Sequence, residues 1–392
     1  MSQILAIVAM NLRNLPARAS ASWVAVLGFA GVVLVLIAVL AMAEGFGKTL
    51  EGVGADDVAI VLRGGSGDEM SSSLMPDAVN VVINAPGVLS EGGQPFVAAE
   101  LFVTLDLPKR SSGTFANVPF RGTNELGPKL RSKFQIASGR MFTPGRDEVI
   151  VGLGAARTFL GLELGGKLKT GTATWEIVGI FSDGGSVMES EIWTDARVLQ
   201  GAYNRGSTFQ SVRVKLASAG DFATFRDSLT TDKRVNVSAR TERAFMAAQS
   251  ETLSTVIRTA GFAIGFLMGV GAVFGALNTM YSAVSSRARE IATLQALGFG
   301  TAPILISVLT EALLLALAGG VLGGVVAFAA FNGFEASTLN YQSFTQVSFA
   351  FAVTPALMGS GIVYALALGL IGGLLPAIRA VRLPIVDGLR AI

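Results

Sequence analysis

Apolar residues gather in four long blocks, and the segment between the first two follows a different pattern. Crossing a bilayer takes about 20 apolar residues in helical form. Trp23 to Ala43 meets that length without a charge, as does Thr259 to Ser286, which lies between Arg258 and Arg287. Pro303 to Asn332 is interrupted only by Glu311, and Phe349 to Ala377 closes the set. The pattern predicts four transmembrane helices.

From Asp57 onward the chain changes to short β-runs broken by Gly, Ser, Asn and Pro. Val58–Leu62, Glu148–Val151 and Trp175–Phe181 are such runs, and Ser211–Leu216 alternates with Val and Leu on one face. Pro76–Asn84, Ala155–Leu160 and Asp221–Leu229 have helical character, the last with Asp221 as N-cap. Residues 44–241 are therefore expected to form a large α+β domain between helices 1 and 2. It should have two subregions, divided near residues 95–120 or 205–240. After it, Phe245, Gln249, Leu253, Val256 and Ala260 keep one mostly apolar face and continue into the second span. A helix from 242 to about 281 would be on the order of 60 Å long, twice the hydrocarbon core, and should serve as a stalk. The domain plan is thus 1–43 with the first span, 44–241 outside, and 242–392 with the stalk, the remaining spans and their cytoplasmic segments.

Composition narrows the chemistry. The 392 residues are 51% hydrophobic and 15% charged, with mean hydropathy +0.57, well short of the charged fraction of a soluble protein. Histidine and cysteine are both absent, which removes Ser-His-Asp and Cys-His catalysis, disulfides, and thiolate or imidazole metal sites. Net charge is only +2 and no basic run is interleaved with aromatics, so nucleic acid is set aside as a partner. What these absences leave open is carboxylate, Lys or Tyr chemistry.

Lys and Arg set the orientation, because cytoplasmic flanks collect positive charge. Arg13 and Arg18 precede span one, Arg287 and Arg289 follow span two, and Arg379, Arg382 and Arg390 follow span four. The 333–348 loop has neither Lys nor Arg. Both termini are expected in the cytoplasm and 44–258 outside. A rival reading treats Ala41-Met42-Ala43 as a signal-peptide cleavage site; the apolar run is longer than such a signal needs. Residues 2–15 carry Ile4, Leu5, Val8, Leu12 and Leu15 near helical spacing, which suits an amphipathic helix in the membrane interface.

Glycines recur at four-residue spacing in the spans: Gly261, Gly265 and Gly269; Gly271 and Gly275; Gly319 and Gly323 beside Gly320 and Gly324; Gly369 and Gly373. Small residues at that spacing let helices approach closely, within one bundle or across a dimer seam. Glu311 is the sole carboxylate in the spans, so no charged path for an ion is laid out.

Two motifs in the outer segment mislead. Gly161 to Lys167 fits G-x-x-x-x-G-K, but Leu168 stands where a magnesium-binding Ser or Thr is needed. Asp183, Glu189, Glu191 and Asp195 cluster in sequence without EF-hand spacing. A turn and a solvated loop are the expected roles.

The segment after span two is more specific. Ser285 to Leu297 favours helix, with Ile291, Leu294 and Leu297 on one stripe, Arg287, Arg289 and Glu290 polar, and Gly298 ending it. Such a helix suits either lipid or a partner's groove, and the residues alone favour lipid. However, the string Arg287-Ala-Arg-Glu-Ile-Ala-Thr-Leu-Gln-Ala-Leu-Gly-Phe299, with Pro376-Ala-Ile-Arg-Ala-Val-Arg-Leu-Pro384 and Leu389-Arg390, resembles the MacB/FtsX-like ABC transporter permeases. Gly139-Arg-Met-Phe, Glu148-Val-Ile-Val-Gly, Gly165 and Trp175-Glu-Ile-Val-Gly-Ile-Phe resemble the family's periplasmic core domain, and Glu311-Ala-Leu-Leu-Leu its third span. The resemblance covers essentially the whole chain.

It implies a non-catalytic membrane subunit that binds no cofactor or metal itself, present as two permease chains, homo- or heterodimer, with a separate cytoplasmic ABC ATPase that binds ATP and magnesium. Residues 283–298 become the coupling helix, with Arg287, Arg289, Glu290, Ile291, Leu294, Leu297 and Gly298 at the ATPase. MacB carries its ATPase on the same chain; no Walker motif occurs here, so an ATPase in trans is expected. The resemblance further implies a multipass protein of the bacterial inner membrane and a periplasmic adaptor or substrate protein. Motion of the outer domain would then export or extract a substrate; activating a cell-wall hydrolase, or serving as an ATPase-independent receptor, are the alternatives.

Overall fold

A computed structural model describes residues 19–51, 54–340 and 345–390. The expected N-terminal amphipathic helix, with Arg13, Pro16 and Arg18, lies outside the described residues. Two compact units result, one of Gly45–Ser254 with Glu335–Ala350, the other of the remaining helical segments.

Among the described residues, four helices are long and apolar enough to span: α1 (Ala19–Glu51), the later α6 (Glu242–Ser286), α8 (Thr301–Phe331) and α9 (Pro355–Val381). Helix α1 runs unbroken through Ala41 and Ala43, both fully buried, so the small-residue cleavage site is helix interior. The fourth span begins at Pro355, not Phe349. Thr354 caps it by accepting from the Leu357 backbone N–H, and Pro355 occupies the first turn, where its missing N–H costs nothing. Pro376 lies within this helix.

The glycines explain how the helices meet. A Cβ on Gly319 or Gly323 would strike the backbone of α1 at Val26 or Ala30, and one on Gly369 or Gly373 would strike Ala316 or Ala312. Gly261 and Gly265 sit against Val39 and Leu36, and Gly269 against Tyr364, whose hydroxyl donates to the Gly265 carbonyl. All seven are therefore contact points inside one chain. A Cβ on Gly271 or Gly275 would meet nothing among the described residues.

The outer unit is a ten-stranded mixed sheet with helices against it. Its strands are β1 (Val58–Arg63), β4 (Val97–Pro108), β5 (Phe115–Thr123), β6 (Gln135–Gly139), β7 (Glu148–Gly152), β8 (Lys167–Thr170), β9 (Ala173–Ser182), β10 (Ile192–Asp195), β11 (Ser211–Lys215) and β12 (Val237–Thr241). A small separate hairpin joins β2 (Ser90–Glu91) to β3 (Gln94–Pro95). The order is β12-β1-β11-β4-β5-β10-β7-β9-β6, with β8 paired to β9; β5–β10 and β7–β9 are parallel. The short helices are α2 (Pro76–Ile83), α3 (Leu153–Thr158), α4 (Ala196–Ala202) and α5 (Phe222–Thr231).

Two hydrophobic cores share this sheet. One gathers Val61, Val79, Val214, Phe225 and Leu229; the other Leu101, Phe120, Val149, Trp175, Ile192 and Leu199. They divide within strand β4, whose residues Val97–Glu100 pair with β11 while Leu101–Pro108 pair with β5. The second lobe closes at Gln210, whose N–H donates to the Glu100 carbonyl at 2.8 Å. Both crossing points fall in the windows that the sequence marked as alternatives.

The 333–348 loop is a hairpin, β13 (Glu335–Asn340) with β14 (Thr345–Ala350), and it packs in the outer unit. The Ser348 N–H donates to Ser190 Oγ at 3.0 Å, Arg157 pairs with Glu335 at 2.7 Å, and Phe349 meets Phe46 edge-on. This hairpin claims Phe349, which is why the fourth span starts later.

Several local expectations change. Asp221 stands at the N-cap position of α5, as expected, but its carboxylate makes no capping bond and accepts instead from Ser218 Oγ at the end of a 3-10 turn. The helix expected over Ala155–Leu160 lies two residues earlier, at Leu153–Thr158. Val256 is exposed, off the buried face of Phe245 and Leu253. Lys167 opens a strand rather than a helix, so the glycine-rich run has no P-loop geometry.

Candidate functional site

Helix α6 ends at Ser286, and a new helix, α7 (Ala288–Ala296), follows after a single residue, Arg287, at φ −108°, ψ 9°. Gly298, at φ +85°, terminates α7, a left-handed conformation that costs glycine little. The Gly298 and Phe299 N–H groups donate to the carbonyls of Gln295 and Leu294. A further helix, α10 (Ile385–Arg390), lies beside α7.

The residues of this segment separate into two sets. Arg289 and Glu290 are exposed, Leu294 is half-buried, and Leu297 is 71% exposed. Ile291 turns inward to the membrane core among Val284, Ile304 and Val308. Arg287, expected on the polar face, is only 5% exposed. Its Nη1 and Nη2 donate to the two carboxylate oxygens of Glu311 at 2.8 and 3.1 Å. The reason is electrostatic: a carboxylate buried in a span must find a cation, and the planar guanidinium matches it with two parallel bonds. Glu311 was visible as the odd residue in an apolar block; its partner, 24 residues earlier in sequence, was not.

A second constellation that the sequence did not reveal lies in the outer unit. Arg121, Arg131 and Arg213 are buried with Glu69, Glu100, Glu191 and Glu242. Arg121 makes two-pronged contacts with Glu69 (2.7 and 2.9 Å) and Glu191 (2.7 and 2.8 Å) and reaches Glu100 at 2.8 Å. Arg131 bonds Glu100, and Arg213 joins Glu100 to Glu242, the first residue of α6. Thr123, Ser211 and Trp193 donate to Glu100, Glu69 and Glu191. Burial alone would raise the Glu69 pKa, but Arg121 and Arg213 outweigh it and hold it at about 2. Glu100 is held lower still, burial again being overcome, by Arg131, Arg213 and Arg121.

This cluster explains strand β11. Val212 and Val214 enter a hydrophobic core, as the alternation suggests, but Ser211 and Arg213 on the other face are buried too, against the charges. The acidic run after Ile180 is likewise taken up locally. Asp183 accepts from Ser186, Glu189 accepts from the N–H groups of Asp183 and Gly185, Glu191 holds Arg121, and Asp195 caps α4. Among the described residues no three carboxylates converge as a metal site.

Comparison with known proteins follows this architecture. The family model of the MacB-like periplasmic core domain matches residues 22–232, and that of the FtsX-like permease C-terminal domain matches 262–385. The chain belongs to the MacB/FtsX-like ABC permease family. Among relatives, the macrolide export ATP-binding/permease protein MacB of Nitrosomonas europaea is 27% identical over 274 residues, 64% of this chain and 39% of that protein. The uncharacterized ABC transporter permease YknZ of Bacillus subtilis is 26% identical over 284 residues, 66% of each chain. The chain thus spans well under half of the MacB relative. A solved extracellular domain of YknZ from Gram-positive bacteria aligns with 47% of this chain and 99% of its own at TM-score 0.35 and 17% identity. Family membership makes the chain a multipass membrane permease with a large α+β domain between its first and second spans.

Proposed function

We propose that this permease is the membrane subunit of an ABC transporter of the bacterial inner membrane, worked by a cytoplasmic ATPase that docks on helix α7. Both termini and α7 lie in the cytoplasm, and 44–258 lies outside. ATP and magnesium bind the ATPase, and a second permease chain completes the pair. ATP-driven closure of the ATPase displaces α7, and the outer domain moves to export or extract a substrate, with an adaptor or substrate protein as its partner. Lipid surrounds the exposed apolar faces of the spans.

The observation that carries this reading is the short separate helix α7, whose outward side combines Arg289, Glu290 and Leu297. An exposed leucine beside exposed charges suits a protein groove better than headgroups alone. The spans support motion over passage, since glycine contacts close their seams and the charged pair within them is internally neutralised.

Co-purification from native membranes in mild detergent tests it, with wild type beside Glu290→Arg and Leu297→Asp. An ATPase that accompanies wild type and drops about tenfold in the variants, all chains remaining inserted, is the expected result. No ATPase with any sample would favour the receptor or structural alternative. Capture of a peptidoglycan hydrolase on the outer domain would redirect the output from export to wall remodelling.

A further inference from the structure

Arg287 occupies the one-residue joint between α6 and α7, and a joint of this kind bends unless something spans it. Here the joint residue itself grips the third span through both oxygens of Glu311, and its Nε makes no hydrogen bond among the described residues. The pair is nearly dry, with side-chain exposures of 5% and 7%. Removing one member of such a pair leaves a buried charge uncompensated.

Other ties join the same helix to the end of the fourth span and to α10. Gln295 donates to the Val381 carbonyl at 3.3 Å, and Gly388 packs so close to Ala288 and Ala292 that a Cβ there would collide. Arg379 lies over the Tyr281 ring at 5.4 Å, linking the fourth span to the second just before the joint. Among the described residues, the one ion pair between this joint and the third span is Arg287–Glu311.

We propose that Arg287 and Glu311 are positioning residues that lock the α6–α7 joint, so that a displacement of α7 moves the start of the third span with it rather than travelling along the second span alone. As a route for ATPase-driven motion this rests on the function proposed above; as a lock it stands on the pair itself. Arg287 therefore acts from inside, while Glu290 and Leu297 form the docking face.

The chain has no cysteine, so spin labels on Thr293→Cys and Ile306→Cys, in the full permease in nanodiscs, report on the joint directly. A single narrow distance distribution is expected with Glu311 in place. Glu311→Ala and the isosteric Glu311→Gln should broaden it about twofold by freeing local opening; the same two substitutions in the unlabelled chain, whose docking face is unchanged, should leave ATPase capture as in wild type. Should the alanine variant fail to insert, the glutamine variant decides. Distributions as narrow as wild type with Glu311 replaced would overturn the lock. Absence of ATPase from every sample would retire the transporter reading, and the label distances would still decide the lock.

Discussion

Glu100 shows how far single residues are committed here. It is fully buried and faces three guanidiniums, so Glu100→Ala strands like charges in a dry interior. A loss of about 3–5 kcal/mol is expected, readable as a lowered unfolding midpoint of the outer unit. Glu69 supplies a pH signature. Its folded pKa near 2 lies below its ordinary 4.5, so its stabilisation is complete above pH 4.5 and disappears as pH falls toward 2. Glu69→Gln should therefore cost about 3 kcal/mol at neutral pH, a gap that closes over that acid window. Asp183 has the opposite sign: burial raises its pKa, so its charge opposes folding above the folded value. Asp183→Asn should raise the melting temperature at pH 7 and leave it unchanged well below the ordinary value of 3.8. None of these roles was legible in sequence, because Glu100, Arg121 and Arg213 come together only through strand pairing and Glu69 joins them from the loop after β1. Arg213 even gave a misleading sign, as the polar half of an alternating strand.

At the scale of elements, the glycine rows were legible as close-packing surfaces, but their partners were not. Gly323→Val would drive a side chain into the Ala30 carbonyl; about 1–3 kcal/mol of destabilisation is expected in detergent unfolding. Gly271→Ala, facing open space, should be neutral or slightly favourable because alanine is the better helix former. The contrast separates packing from mere helix propensity. The β-runs around Glu148 and Trp175 were readable because apolar, β-branched residues dominate both: β7 is buried along its whole length, and β9 is buried through Ile177–Gly179 and exposes Thr174 and Glu176. Strand β4 was not, since its register changes partners midway, and the 335–350 hairpin was hidden inside what hydropathy took for a loop and a span. Phe349→Ala, which removes the edge contact with Phe46, should cost about 3 kcal/mol of outer-unit stability.

At the scale of the whole molecule, hydropathy alone exposed the architecture, because four apolar blocks and one mixed segment admit few arrangements in a bilayer. Helix α6 has 45 residues, about 67 Å at the usual rise, against a hydrocarbon core of about 30 Å. Single cysteines in the cysteine-free chain should divide accordingly. One at Ala244 should react with a membrane-impermeant maleimide added outside intact cells, and one at Val270 should not. Labelling at Thr293 only after permeabilisation would fix the proposed orientation.

Strand β4 enters the second lobe at Leu101, and the chain leaves that lobe at Gln210, hydrogen-bonded to Glu100. The lobe is thus an insertion with adjacent entry and exit, grafted into a smaller domain that alone connects onward to helix α6. Its two ends meet at one point, yet the buried charges cross the boundary: Arg121 and Arg131 of the lobe hold Glu69 and Glu100 of the smaller domain. A different module spliced in for residues 101–210 would have to bring its own cations for those two carboxylates, or the domain that receives it would lose its footing.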